Sequence, residues 1–385
     1  MTKTGLKILA AFFAVLLVAA GLCSCTFGNL SYDDEEAAIT EFKAYAAEHE
    51  NGSFHLISFP GLGIQNLKIN RVALKIGSVT VYWYGLIITL GIVATFVYTC
   101  FMFKKKGLKI DDLIDITIWA VICGVIGARL YYVLMKLDSY TDFWSVFKIW
   151  EGGLAIYGAL IAGGIAVFVV CLKKKMQFFK VADCAMPGIM LAQAMGRWGN
   201  FTNGEAYGYE VAEGSPLYFL RMGIYPHTNE AITAGANHIA YVHPTFLYES
   251  LWNLTGFILV NVIFYLIIKR KKTDGQIFFA CVAWYGFGRT FIEMLRTDSL
   301  YLFGAVRVSS LVGIICFIVG TAMFIYLTIK GKKVALATET YEPSFPLFDR
   351  SKKETEETTE IIEEITEETT EEPEKTEENE KENGE

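Results

Sequence analysis

The chain has 385 residues, 53% of them hydrophobic, with a mean hydropathy of +0.36 and a formal charge of −7. A soluble protein of that size has too little polar surface to cover so apolar a composition, so a water-soluble globule is excluded and a bilayer is indicated. The negative charge is local: residues 351–385 hold sixteen Glu against four Lys, leaving +5 on the rest, which suits contact with anionic lipid and equally suits the ordinary basic loops of an inner-membrane protein.

In chain order, residues 1–25 carry Lys3 and Lys7 ahead of "ILAAFFAVLLVAAGLCSC", a signal-like segment read here as an uncleaved helix with its lysines inside. Residues 26–70 form an acidic external extension, helix-prone over 31–56 and predicted to have no core of its own. Residues 71–335 hold apolar runs of about twenty residues, the length that crosses some 30 Å of hydrocarbon, near 82–103, 113–136, 153–172, 180–197, 245–268, 276–296 and 306–329. Residues 336–385, rich in Glu and Thr, cannot bury enough apolar surface to offset the entropy of ordering and are predicted to be a disordered cytoplasmic tail.

Every second loop is basic: "KKKGLK" (104–109), "KKKMQFFK" (173–180), "KRKK" (269–272) and "KGKK" (330–333). By the positive-inside rule these face the cytoplasm, so the first core span enters from outside and the C-terminus ends inside. The predicted fold is an all-α integral membrane protein with seven core transmembrane helices plus the N-terminal signal-like helix. Six cysteines (Cys100, Cys123, Cys171, Cys184, Cys281 and Cys316) lie singly in apolar runs, where the residue acts as a small hydrophobe, so neither a disulfide framework nor a metal site is read from them.

Ionisable groups at membrane depth cost a few kcal/mol each, roughly, on insertion scales, so a cluster of them points to function. The densest is "GRWGNFTNGEAYG" (196–208), at the external end of the fourth span. There Arg197, Asn200, Asn203 and Glu205 alternate with Gly196, Gly199, Gly204 and Gly208, a pattern able to bend back and aim donors at one anion. In the sixth span, "YGFGRTFIEMLRTD" (285–298) sets Arg289, Glu293 and Arg296 on one helical face. Arg289 and Glu293 can equally form a structural ion pair, whereas Arg296 has no local partner and is available for an anion.

"WYG" (83–85), "GARLYY" (127–132), "GGLAIYGA" (152–159) and "HPTFLYE" (243–249) add Tyr84, Arg129, Tyr157, His243 and Glu249 at the same side. Tyr84 also fits an aromatic belt. His243 and Glu249 also fit a helix entry and an interhelical hydrogen bond. Asp115 and Asp183, near cytoplasmic ends, read as structural. The sum is an arginine-rich pocket for a lipid phosphate, with no Ser-His-Asp set, zinc helix, phosphate loop or cysteine nucleophile recognisable. No metal or cofactor is called for.

Taken together, these motifs over residues 70–335 resemble the bacterial prolipoprotein diacylglyceryl transferases, most closely in "GRWGNFTNGEAYG". The resemblance implies a multi-pass protein of the bacterial cytoplasmic membrane. It implies transfer of diacylglyceryl from phosphatidylglycerol to the lipobox cysteine of a prolipoprotein, forming a thioether and releasing glycerol 1-phosphate. It also implies Arg197 and Arg289 at the phosphate, Arg296 and Arg129 as secondary contacts, and Asn200, Glu205 and Gly208 around the headgroup, with Glu293 beside them and Tyr84 bonding lipid or substrate. Where some members have a histidine proposed as base, this chain has Tyr157, and a phenol of reference pKa near 10 is a poor base at neutral pH. Either nearby arginines activate Tyr157, or it only hydrogen-bonds and the proton leaves through Glu205, His243 or water; the second reading is adopted. The expected partners are phosphatidylglycerol, the lipobox region and the membrane, with no nucleic acid, and the expected state is a monomer. The rival class is a transporter of an anionic lipid or metabolite, against which stands the gathering of polar groups on one side of the membrane.

Overall fold

Long apolar runs with lysine-rich ends fold as helices, and the computed structural model shows them over the residues it describes: 28–29, 35–48, 54–77, 79–137, 142–148, 152–226, 238–264, 273–299, 301–302 and 306–337. These residues divide into two compact units, one running to Leu113 and resuming at Val181, the other Ile114–Lys180. The signal-like segment 1–25, the basic loop 269–272 and the tail beyond 337 lie outside the described residues.

The helices are α1 (Glu35–Glu48), α2 (Trp83–Lys105), α3 (Ile110–Met135), α4 (Ile156–Lys173), α5 (Phe178–Asn203), α6 (Thr245–Val262), α7 (Gln276–Met294) and α8 (Val308–Ala337). At 1.5 Å per residue the 23 residues of α2 extend about 35 Å, enough to cross a bilayer. Its closing Lys104 and Lys105 sit well beside the partial negative charge of a helix C-terminus. Among the described residues, four helices are long and apolar enough to cross: α2, α3, α4 and Val308–Gly331 of α8. Helices α5, α6 and α7 are less apolar because they carry Asp183 and Arg197, Glu249 and Asn253, and Arg289 and Glu293.

The all-α expectation is corrected to a mostly helical protein with a sheet. In the first unit an antiparallel sheet runs in the order β1-β3-β2-β6-β7, with β1 Gly28–Asn29, β2 Phe54–Phe59, β3 Ile64–Asn70, β6 Met222–Tyr225 and β7 Ala240–Val242. Leu56 pairs with Tyr225, and Met222 with Val242. A hairpin, β4 (Val72–Ile76) and β5 (Val79–Tyr82), leads into α2.

The period of two along β2 and β6 splits their side chains between faces, and both faces are covered. Leu56 and Tyr225 face α1, which buries Ala38, Ile39 and Phe42 against them and Ile239. Phe42 meets Tyr225 edge to face at 5.9 Å. Burial of Ile39 and Phe42 stabilises this contact by about 2 kcal/mol each. The extension therefore has a core, contrary to expectation. Its helix uses an apolar stripe too short to stand out among acidic neighbours. On the other face Ile57, Phe59, Met222, Ile224 and Val242 pack with Tyr207 and Phe246, and Trp198 and Phe201 of α5 close over them. The sheet thus anchors the segment that follows α5.

At the lysine-rich ends, the buried Asp183 of α5 accepts the backbone N–H groups of Gly275 (3.0 Å) and Phe278 (2.8 Å) at the start of α7. Lys106 Nζ lies 3.7 Å from both Asp183 and Asp274. Asp183 is a cap supplied by one helix to another, which agrees with its structural reading. In the second unit, Lys174 pairs with Asp115 at 2.7 Å on an exposed face, a contact of small worth. There α3 and α4 meet backbone to backbone at Gly127 and Gly158, and a Cβ on Gly158 would overlap the Gly127 carbonyl.

Candidate functional site

Glu249 is the centre of the site. It lies in the second turn of α6, 4% exposed, and an isolated carboxylate there would be costly without cations. Three arginines supply them. Arg197 Nη2 of α5 is 2.5 Å from Glu249 Oε2, Arg289 Nη1 of α7 is 3.1 and 3.2 Å from the two oxygens, and Arg296 Nη1 is 3.1 Å from Oε1. Sequence reasoning placed the arginines but gave Glu249 no central role. The signal it underused was a lone carboxylate in an apolar run.

The remaining carboxylates balance the cluster. Arg289 Nη2 contacts Glu293 Oε2 at 2.6 Å, one turn along α7. Arg296, expected to lack a partner, is corrected to a paired residue: Asp298 takes its Nε and Nη2 at 2.9 and 2.8 Å in a two-pronged bond. Its anion is local because the chain turns just past α7. Arg307, just ahead of α8, donates to the Glu293 carbonyl and to the hydroxyls of Tyr301 (3.1 Å) and Tyr209 (3.2 Å).

From Arg197 a chain of hydrogen bonds runs outward. Arg197 Nη1 donates to Asn200 Oδ1 at 3.2 Å, and Nδ2 of Asn200 and of Asn203 both donate to Glu205 Oε1 at 3.1 Å. Tyr84, in the first turn of α2, lays its ring against Gly199 of α5. The segment after α5 bends sharply, with Gly204 at φ +62° and Ala206 at φ +58°, and the Ala206 carbonyl accepts the Thr245 hydroxyl. A left-handed non-glycine residue stores strain of about 1 kcal/mol or more, here imposed by neighbours.

Gly208 then threads between two strands of chain. Its N–H donates to the His243 carbonyl at 2.9 Å, Tyr209 N–H donates to the Leu295 carbonyl at 2.9 Å, and a Cβ on Gly208 would sit 2.7 Å from both His243 Cβ and the Leu295 oxygen. Its glycine is required for close approach of backbone. His243 Nδ1 is 3.2 Å from the Tyr248 hydroxyl, and burial lowers the pKa of its ring below the usual histidine value.

Of the residues singled out from sequence, the first unit holds Tyr84, Arg197, Asn200, Glu205, Gly208, His243, Arg289, Glu293 and Arg296. Arg129 and Tyr157 belong to the second. There Arg129 is buried and donates to the carbonyls of Ser145 (2.8 Å), Val146 (2.7 Å), Gly152 (2.6 Å) and Gly153 (3.0 Å), binding down the loop ahead of α4. Tyr157 lies in the first turn of α4, its ring 6.4 Å from that of Tyr131.

A guanidinium carries five N–H donors, more than Arg197 and Arg289 use on their carboxylate and amide partners. Held together by Glu249, the two cations can take a further anion without first overcoming their own repulsion.

Residues 71–326 match the family described as prolipoprotein diacylglyceryl transferase. Among curated relatives, the phosphatidylglycerol–prolipoprotein diacylglyceryl transferase 1 of Clostridium perfringens is 41% identical over 268 residues, 69% of this chain and 97% of its own. The corresponding transferase of Lysinibacillus sphaericus is 42% identical over 270 residues, covering 69% and 95%, and that of Staphylococcus aureus 41% over 271 residues, covering 70% and 93%. The chain is a multi-pass membrane protein and belongs to the prolipoprotein diacylglyceryl transferase family.

Proposed function

We propose that this chain transfers the diacylglyceryl group of phosphatidylglycerol to the thiol of a prolipoprotein lipobox cysteine, and that Arg197 and Arg289 hold the phosphate through the reaction. The observation that carries this reading is the shared carboxylate: guanidinium groups from α5 and α7 converge on Glu249. The seven long helices α2–α8 are the core spans, entering from outside at α2 and leaving the C-terminus in the cytoplasm, as the lysine-rich loops require.

The thiolate sulfur attacks the glycerol carbon that carries the phosphate ester oxygen. The sulfur–carbon bond forms, the carbon–oxygen bond breaks with its electron pair on oxygen, and glycerol 1-phosphate departs. The nucleophile is the substrate's, so the enzyme needs none. Charge moves from sulfur onto the departing phosphate, which gains a second negative charge, and fixed cations favour that state over the starting diester. The same cations favour the thiolate over the thiol, whose reference pKa is near 8.5. Its proton leaves through His243, Glu205 or water, with Tyr157 only hydrogen-bonding. Asn200 and Glu205 fix the Arg197 side chain, and Tyr84 bonds lipid or substrate from the opposite helix.

Purified protein in detergent, given phosphatidylglycerol and a lipobox peptide, is expected to yield lipidated peptide and glycerol phosphate, with Arg197→Ala and Arg289→Ala inactive. Full turnover in both variants refutes the assigned site.

A further inference from the structure

The turn that carries Asn203 and Glu205 is braced from below by a residue that precedes the family-matched segment. His55 lies on β2, 5% exposed, in the extension read from sequence as a mere appendage. Its ring fills the space where a side chain on Gly204 would stand: a Cβ there would lie 2.7 Å from His55 Nδ1 and 2.8 Å from Cγ. Gly204 is the left-handed residue ending α5, with its N–H bonded to the Phe201 carbonyl at 3.1 Å, and Glu205 N–H returns to the Asn200 carbonyl at 3.1 Å.

The ring itself is held. Arg71, which joins β3 to β4, donates Nε–H to His55 Nε2 at 2.7 Å. An acceptor Nε2 has no proton, so the proton of the neutral ring sits on Nδ1, the nitrogen turned toward Gly204. Burial, and next the Arg71 charge, lower the pKa of His55 to about 4, which keeps the ring neutral at working pH. The turn is thus clamped on two sides, by the Thr245 hydroxyl on the Ala206 carbonyl and by the His55 ring against Gly204.

We propose that His55, wedged against Gly204 and held by Arg71, is a positioning residue of the transferase site that acts through Asn203 and Glu205 on Asn200 and Arg197. The inference rests on the proposed role of Arg197. Residues 54–70 are then part of the working enzyme although the family match begins at residue 71. Loss of the ring opens a space beneath the turn and lets Glu205 move from both asparagines, so the arginine reaches the phosphate less well aligned. A displacement of that kind lowers rate more than substrate binding.

The test uses the full chain in detergent with phosphatidylglycerol and a lipobox peptide, with rates referred to folded protein. His55→Ala is expected to lose about tenfold in kcat with little change in the KM for peptide. His55→Gln, whose side-chain oxygen can accept from Arg71, is expected to recover most of that loss, and Arg71→Leu to resemble His55→Ala. Wild-type kcat in His55→Ala, or His55→Gln no better than His55→Ala, overturns the proposal. Arg197→Ala, run alongside, separates the two readings: if it is active the site assignment itself has failed, and if it is inactive while His55→Ala is unimpaired only the brace has failed.

Discussion

Arg197 Nη2 lies 2.5 Å from Glu249 Oε2, and the same carboxylate accepts from Arg289 and Arg296, so one buried anion gathers three cations. Removing that anion leaves the guanidinium groups facing one another with no shared counter-charge. Glu249→Gln is expected to destabilise the protein by about 3 kcal/mol and to abolish transfer, since an uncompensated buried charge costs more than the pair contributes. Thermal unfolding in detergent together with the lipidation assay checks this, and a variant with unchanged melting and turnover contradicts it.

Asp183 caps α7 from a neighbouring helix, far along α5 from Arg197. Asp183→Ala strands two backbone N–H groups and leaves Lys106 with Asp274 alone, and is expected to cost about 1–2 kcal/mol while folded molecules keep their kcat. Melting temperature and kcat measured on one preparation test the separation. A fall in kcat with unchanged melting would tie this end of the molecule to the chemistry.

His55 predicts an acid limb in stability. Its folded pKa, about 4, lies below its ordinary 6.5, so the unfolded chain binds the proton more readily. Stability is therefore full above pH 6.5, falls as pH drops from 6.5 toward 4, and levels off below, with a span of about 3 kcal/mol for this group. Chemical denaturation at stepped pH should show the limb in wild type and a shallower one in His55→Gln; identical limbs count against a neutral, buried ring.

Tyr157 stands in the first turn of α4 beside Tyr131 and is assigned no proton transfer. Tyr157→Phe should keep substantial turnover, within about tenfold of wild type, because the loss of one hydrogen bond is worth about 1 kcal/mol. Complete loss in folded protein would make the phenol the proton acceptor.

Much of the site was legible in one dimension. The signature segment 196–208 and the spacing of Arg289, Glu293 and Arg296 named most of the residues that meet around Glu249, because arginines in apolar runs are rare without a purpose. Partnership was harder to read. Arg296 looked unpaired along its helix and is bound by Asp298 and Glu249, and neither the loop carbonyls that Arg129 binds nor the two backbones that close in on Gly208 could be read from the chain.

By itself the sequence determined the long apolar helices and the kind of chemistry, since helix hydrogen bonds close within four residues and hydropathy is a property of consecutive side chains. Only the tertiary structure decided that Leu56 pairs with Tyr225, that Glu249 gathers three arginines, and that His55 lies against Gly204. Each of those contacts joins residues far apart in the chain, and its energy exists only once packing has brought charge, ring or strand edge to within a few ångströms of its partner.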